Sequence, residues 1–435
     1  MAARAGKRQS VDAELQKLQR DSFRYFLRET NPRNGLVIDK NRAGSPASIA
    51  ATGLALASYP VAVERGFMSR AAAVKRTLAT LRFFWNSPQG PEPNSTGHHG
   101  FYYHFLDMRT GRRAWQCELS TVDSAFLLAG ALAAGMYFAG DAPQEHEIRK
   151  IGDALYRRAD WQWAQNRRAT LTHGWKPKRG FLKYRWQGFD EALLLYTLGL
   201  GSPTYPLPKS SYTAWASTYE WVRCCGQDYL YAGPLFTHQL SHIWIDFRGI
   251  QDAFMRKKRI DYFENSRRAT YAQYRYAIDN PQKFKGYGPK SWGFTAGDGP
   301  GPATIKVHGI ERKFFDYVAR GVPYGPDDGT IAPWAAVASL PFAPEIVLPV
   351  LDYYLHEAEL TKRTPYGFTA SFNPTFPEKI PHRNGWVSPW HYGLNQGPII
   401  LMIENYRTGF LWKLMRGCPY ISSGLRRAGF RGGWL

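Results

Sequence analysis

The 435-residue sequence predicts an all-α protein made of helical hairpins in one compact array. Three observations carry that prediction. Apolar residues recur at helical spacing in twelve or more segments. Nearly all-apolar segments alternate with amphipathic ones. The regular strand–helix alternation of a parallel sheet is absent. No linker-like stretch interrupts residues 20–435, so one domain over residues 11–435 is expected, preceded by a basic disordered tail at 1–10.

Taken in order, residues 12–29 place Leu15, Leu18, Phe23, Phe26 and Leu27 at helical spacing. Residues 45–65 begin Ser-Pro and stay rich in Ala and Leu up to Gly66. Residues 69–86 open on Ser69 and repeat Val74, Leu78 and Leu81. Residues 120–138 are nearly all apolar, so that helix is expected inside. Residues 144–164 carry Ile148, Ile151 and Leu155 on one face with charges opposite. Further helices are read at 189–200, 211–222, 238–247, 250–278, 311–320, 332–340, 344–360, 395–407 and 410–416. Gly and Pro supply most of the breaks. Short strands are expected near 100–106, 181–187 and 366–372.

Lys+Arg 56 against Asp+Glu 35 leave a net charge of +21. Such a charge favours polyanions, yet the basic runs are short: residues 256–259, Arg267 with Arg268, and Arg426 with Arg427. No zinc-finger or ribonucleoprotein signature occurs, and nucleic acid is not expected as a partner. No run of eighteen apolar residues exists, so no membrane-spanning helix is expected. The N-terminus lacks the apolar core of a secretory signal. A cytoplasmic location is expected, or a periplasmic one if a signal was removed. Cys117, Cys224, Cys225 and Cys418 show no metal-type spacing and are too few for a disulfide scaffold. The 15 Trp, 26 Tyr and 25 Phe fit either an aromatic core or a surface that packs on sugar rings.

No phosphate loop, nucleophile elbow, dinucleotide fingerprint or HExxH motif is present. His238 and His242 are four apart, but a zinc site needs a third ligand, and Gln239 stands where HExxH has Glu. A metal is not expected. Carboxylates set among aromatic and glycine residues stand out instead. Glu191 follows Tyr184-Arg185-Trp186-Gln187-Gly188-Phe189-Asp190, where a turn meets an apolar helix. A carboxyl desolvated there has a raised pKa, which a general acid needs. The alternative is helix-start electrostatics, with Asp190 as the N-cap and Glu191 as a first-turn acid. Ser120 and Asp123 imitate a capping box with Asp in place of Glu. The preceding run from Trp115 to Glu118 fits a cleft wall. Asp298, and Asp327 with Asp328, sit in rigid Gly/Pro loops, where turn and cap roles are equally natural.

Many segments bear a joint resemblance: DSFRYF (21–26), NPRNGLVIDK (31–40), GFYYHFLDM (100–108), ELSTVDSAFLLAGAL (118–132), GFDEALLLYTLGLGSPTYPLP (188–208), GPLFTHQLSHIWIDFRGIQD (233–252), WGFTAGDGPG (292–301), DDGTIAPWAAVASLPFAPE (327–345) and GLNQGPIILMIENYRTGFLW (393–412). Together they resemble the bacterial glucoamylase-like (glycoamylase) domain family. That family includes the endo-β-1,2-glucanases of glycoside hydrolase family 144 and the C-terminal domain of cyclic β-1,2-glucan synthases. The resemblance covers roughly residues 20–435. It implies a single (α/α)6 toroid with a cleft built by loops at one end. It also implies β-1,2-glucan as substrate and no cofactor. The Glu of the G-[YF]-[ND]-E-A motif, the family acid, matches Glu191, and the S-T-[IV]-D acid matches Asp123.

The sequence departs from the hydrolase branch at residues 385–396. An acid is expected within or just before this segment, which instead carries Ser388 and Asn395, with no carboxylate between Glu378 and Glu404. The expected function is hydrolysis of β-1,2-glucan or a related β-glucan. Glu191 protonates the leaving oxygen, and Asp123, Glu118, Asp298 or the Asp327/Asp328 pair supplies the second carboxylate. A transglycosylase that forms or remodels cyclic β-glucans, or a non-catalytic glucan-binding toroid, are the alternatives. Trp115, Trp186, Trp292, Trp334, Trp386 and Trp390 are expected to line sugar subsites. Arg185, His238, Gln396, Asp298, Asp327 and Asp328 are the expected polar contacts. Arg185, Arg267 and Arg268 are expected to favour glucans with anionic substituents.

Overall fold

The computed structural model describes residues 2–362, 364–377 and 383–435, with side chains from Val11 onward. Glu378, the acid flanking the departure at 385–396, lies outside the described residues. Ile49–Glu64, Thr121–Tyr137, Leu193–Gly201 and Gly393–Thr408 are helices that are almost wholly buried. A helix that is apolar on every side must be enclosed by others. Ala2–Arg28 from Val11 onward, Arg70–Asn86, Pro143–Arg158, Tyr262–Asp279 and Pro419–Ala428 bury only one face. Three of them pack on members of the buried set: Ala2–Arg28 on Gly393–Thr408, Pro143–Arg158 on Thr121–Tyr137, and Pro419–Ala428 on Leu193–Gly201. One contiguous core reaches from Leu15 to Phe430.

One close helix crossing is made by glycine. A Cβ on Gly130 would lie 2.1 Å from the Gly53 carbonyl oxygen, and one on Gly53 would lie 2.3 Å from that of Phe126. Ile49–Glu64 and Thr121–Tyr137 therefore touch backbone to backbone, which only residues without a side chain permit.

Helix dominates the fold but is not alone in it. Among the described residues six small antiparallel sheets accompany the helices. Five have two strands. The sixth orders Gly97–His98, Phe101–Tyr103, Leu119–Ser120, Gly174–Lys176 and Gly180–Phe181 side by side. Strands of two or three residues are too short for a period-two pattern to register. The expectation near 100–106 agrees with Phe101–Tyr103 and Phe105–Leu106, whereas those at 181–187 and 366–372 shrink to Gly180–Phe181 and Phe372–Asn373. The helix expected at 311–320 is replaced by a hairpin, Ala303–Val307 with Ile310–Phe314. Its two-residue turn, His308 (φ 49°) and Gly309 (φ 81°), holds both positions left-handed, as a tight hairpin turn demands. The stretch 250–278 divides at Arg259, whose φ of 58° ends Ala253–Lys258 before Tyr262–Asp279 begins. Pro419–Ala428 is an additional helix, with Pro at its first turn. The first helix runs back through residues 2–10, where a tail was expected. Ala, Lys, Arg and Gln in that stretch favour helix.

Candidate active site

Strand Leu119–Ser120 pairs with Phe101–Tyr103 on one side and Gly174–Lys176 on the other. It leads directly into helix Thr121–Tyr137. Ser120 caps that helix: its Oγ accepts the Asp123 N–H at 3.3 Å and donates to the Asp123 carboxylate. The Ser-x-x-Asp cap read from the sequence is formed. It fixes Asp123 in the first turn, with Glu118 just ahead of the strand. His104, at the end of the neighbouring strand, faces both acids. Its Nδ1 lies 2.9 Å from Glu118 Oε1 and its Nε2 3.6 Å from Asp123 Oδ2.

The opposite wall comes from the chain ahead of Leu193–Gly201. The Trp186 indole donates to Thr121 Oγ1 at 2.9 Å, and its ring stacks on His173 with centroids 3.8 Å apart. Gly188 takes φ 80° and bends the chain. Asp190 is not the helix cap. Its Oδ1 accepts the Ala192 N–H at 3.0 Å and the Trp215 indole N–H at 3.0 Å. The helix start is satisfied from elsewhere: Ser241 Oγ accepts the Leu194 N–H at 3.0 Å and donates to the Glu191 carbonyl at 3.2 Å.

These walls bound a cavity of about 310 Å³. Glu118, Asp123 and Glu191 all line it, with His104, Trp186, Trp334, Tyr317 and Asn395, over an apolar floor of Phe126, Leu240 and Leu394. The acids differ sharply in state. Burial pushes Glu191 up to about 7, the nearby Asp123 charge pushes the same way, and only a backbone N–H opposes them. No cation pairs with Glu191 among the described residues. Glu118 is held down at about 2, chiefly by its bond to His104. Burial alone would lower His104, but Asp123, Glu118 and Asp39 outweigh it and raise the ring to about 9. His104 is therefore an imidazolium at neutral pH.

Asp39 and His104 belong to this cluster and were not singled out from sequence. Burial raises Asp39 to about 6, with His104 and Lys40 opposing and Asp123 and Asp298 adding to the rise. The only hint was their place in the matched segments at 31–40 and 100–108, where Asp39 ends an apolar run and His104 interrupts one.

Asp298 is buried behind this group. Ser388 Oγ donates to its Oδ2 at 2.9 Å and the Tyr392 hydroxyl to its Oδ1 at 2.5 Å. The segment 385–396, where an acid was expected, thus supplies donors to an acid from another loop.

Other expected site residues lie outside the cavity. Trp292 is fully buried in the core. Trp386 sits in the strand pair Trp386–Val387 with Phe372–Asn373. Trp390 closes a backbone bond to Ala370. His238 is buried, with its Nε2 3.2 Å from the Ala232 carbonyl, and burial lowers it to about 4. Gln396 points back to the Phe368 carbonyl at 3.0 Å. Arg185 is spent on Thr170 Oγ1 and the Gln165 carbonyl. Asp327 accepts the Tyr276 and Tyr287 hydroxyls, and Asp328 pairs with Arg320. Arg267 and Arg268 pair with Glu345 and Glu264. Trp115 is exposed and borders a separate groove. Aromatic and charged identity alone says nothing of where a side chain points once its neighbours pack. Among the described residues no group of three or more His, Cys, Asp and Glu side chains is arranged to hold a metal ion.

Comparison with known proteins places this geometry. Residues 183–419 match the Glycoamylase family, described as "Putative glucoamylase". The chain is 29% identical over 448 residues to the exo β-1,2-glucooligosaccharide sophorohydrolase (non-reducing end) of Parabacteroides distasonis. That match takes in 95% of this chain but spans only 57% of the relative's length. In structure the chain is similar to a protein of the same glucoamylase description from Bacteroides uniformis, with TM-score 0.86, 33% identity and 98% of each chain covered. It is similar also to the endo-β-1,2-glucanase from Chitinophaga pinensis, solved with sophorotriose and glucose, with TM-score 0.85, 26% identity and 98% and 99% of the two chains covered. The family match covers more than half of the chain and the structural likeness runs almost end to end, so this chain belongs to the Glycoamylase family.

Proposed function

We propose that the chain is a glycoside hydrolase acting on β-1,2-linked glucan or its oligosaccharides, with Glu191 as general acid. One observation carries this reading. Glu191 has no counter-charge among the described residues, shares its cavity with Asp123, and is raised to about 7. A carboxyl in that state keeps its proton near neutral pH and delivers it to a departing glycosidic oxygen. Asp123 is the second carboxylate, facing Glu191 across the same space. Glu118 is committed to His104, and the pair holds the Asp123 side of the cavity in place. Trp186 and Trp334 offer flat apolar faces to sugar C–H groups. The relatives named for β-1,2-glucan hydrolysis support the substrate class. The helices close into a single (α/α)6 toroid over residues 11–435, a reading supported by the alternation of all-apolar and one-sided helices.

The test is incubation with linear β-1,2-glucan, linear β-1,3-glucan and cyclic β-1,2-glucan, followed by product analysis. Net release of short β-1,2-glucooligosaccharides, lost in Glu191→Gln, is the expected result. Redistribution of chain length without net release would replace hydrolysis by transfer. Binding with no product would overturn the enzymatic reading.

A further inference from the structure

A second and larger groove, of about 1020 Å³, adjoins the sheet that carries Glu118. Its lining includes Arg113, Trp115, Lys176, Lys178 and Arg179, and no carboxylate. The cations Lys176, Lys178 and Arg179 form no ion pair among the described residues, unlike Arg267 and Arg268, which are both neutralised. These cations share one concave face, Lys176 also acting on Glu118 nearby, and such a face concentrates anions.

The groove is also built to present an aromatic. Trp115 and Gln116 are consecutive non-glycine residues in left-handed backbone, at φ 51° and 50°. Such a pair persists only where its surroundings hold it. Arg113 does so, donating Nε–H to the Cys117 carbonyl at 2.6 Å and Nη2–H to the Gln116 carbonyl at 2.5 Å. The result is a Trp115 ring that is 62% exposed, too wet to be part of the core. Its inner edge meets Phe105 at 5.0 Å between centroids, and Phe105 stacks on His104 at 4.0 Å. An aromatic run therefore leads from the cavity holding Glu191 to the basic groove.

We propose that this groove is a second binding site for the polysaccharide chain, and that it takes stretches bearing anionic substituents such as free carboxylates or phosphate esters. Trp115 stacks on a sugar ring while Lys176, Lys178 and Arg179 meet the charges. The inference rests on the glucan reading above and extends it to substrate that has left or not yet reached the cavity.

Isothermal titration calorimetry on the full chain carrying Glu191→Gln, which does not consume ligand, tests it. The probes are a neutral β-1,2-glucooligosaccharide and the same oligosaccharide carboxymethylated or phosphorylated. At low salt both anionic forms are expected to bind about tenfold tighter than the neutral one, with the gap closing as salt screens it. Adding Lys178→Ala and Arg179→Ala should abolish the gap, with an unchanged melting curve as the fold control. Equal binding of charged and neutral forms at low salt overturns the proposal. So does a gap that survives the double substitution. A single-stranded oligonucleotide of equal charge binding as tightly would overturn the saccharide assignment. Cleavage of neutral glucan by the wild-type protein without any gap sinks the groove alone. Failure to cleave that glucan sinks the functional reading instead.

Discussion

Asp328 and Glu191 are both interior carboxylates carried by turns ahead of helices, and they end in opposite states. Asp328 is 0% exposed, and Arg320, itself 2% exposed, grips it through Nε at 2.7 Å and Nη2 at 2.9 Å. Backbone N–H groups of Phe315 and Thr330 add bonds at 2.9 and 3.1 Å. Burial works to raise Asp328, but the guanidinium beside it holds the carboxyl below its ordinary value. Glu191 meets burial without a guanidinium and rises to about 7. Desolvation is common to both; the counter-charge decides which acid is a strut and which can donate a proton.

The largest expected effect separates the two by activity. Glu191→Gln keeps shape but cannot release a proton, so turnover on β-1,2-glucan should fall by about 10²–10⁴-fold with an unchanged melting curve. Near-wild-type turnover would move the acid to Asp123 or Glu118. The complementary change separates them by stability. Asp328→Asn strands the buried Arg320 charge and should cost about 3–5 kcal/mol in denaturant unfolding. An unaffected midpoint would break the comparison from its other side.

Next comes pH. With Glu191 in the proposed role of general acid, its protonated form is the working one, so turnover should be present below about 7 and lost above it, about tenfold per unit. The stability terms run in opposite directions. The folded value of Glu191 lies above its ordinary 4.5, so its contribution is complete below 4.5 and lost as pH rises through about 7. Asp328 lies below its ordinary 3.8, so its contribution is present above 3.8 and lost as pH falls further. Melting curves of Glu191→Gln and wild type should therefore diverge between pH 4.5 and 7. Parallel curves would remove the raised value.

His104→Gln probes the ion cluster. The folded ring sits near 9 against an ordinary 6.5, so its stabilisation is complete below 6.5 and lost as pH rises through about 9. The stability gap to wild type should be about 1 kcal/mol at most and should close over that window. The smallest effect is expected for Asp190→Asn. Its Oδ1 can still accept from Ala192 and Trp215, and turnover should change by less than about tenfold. A loss matching that of Glu191→Gln would show that the wrong member of the pair was chosen.

Much of the helical scaffold was legible because its signals are local. The apolar run of Thr121–Tyr137, its Ser120 cap and the stripe of Pro143–Arg158 need only neighbours within a turn or two. Glu191 was singled out from a short motif, and the cavity it lines also contains Asp123 and Glu118. The hairpin at 303–314 was misread because two left-handed turn residues outweigh the apolar pattern on which a helix was drawn.

The sequence by itself determined which segments are helical, which helices are apolar all round, and which acids stand beside aromatic turns. Tertiary structure alone decided the rest. Ser241, fifty residues away, satisfies the helix start that Asp190 was read to cap. His104 turned two acids ahead of and within a distant helix into an ion cluster. Trp292, Trp386 and Trp390 went to other places than the cavity that received Trp186 and Trp334. The reason is range. Helix formation answers to contacts a few residues apart, whereas proton affinity answers to burial and to charges a few ångströms away, whichever part of the chain supplies them.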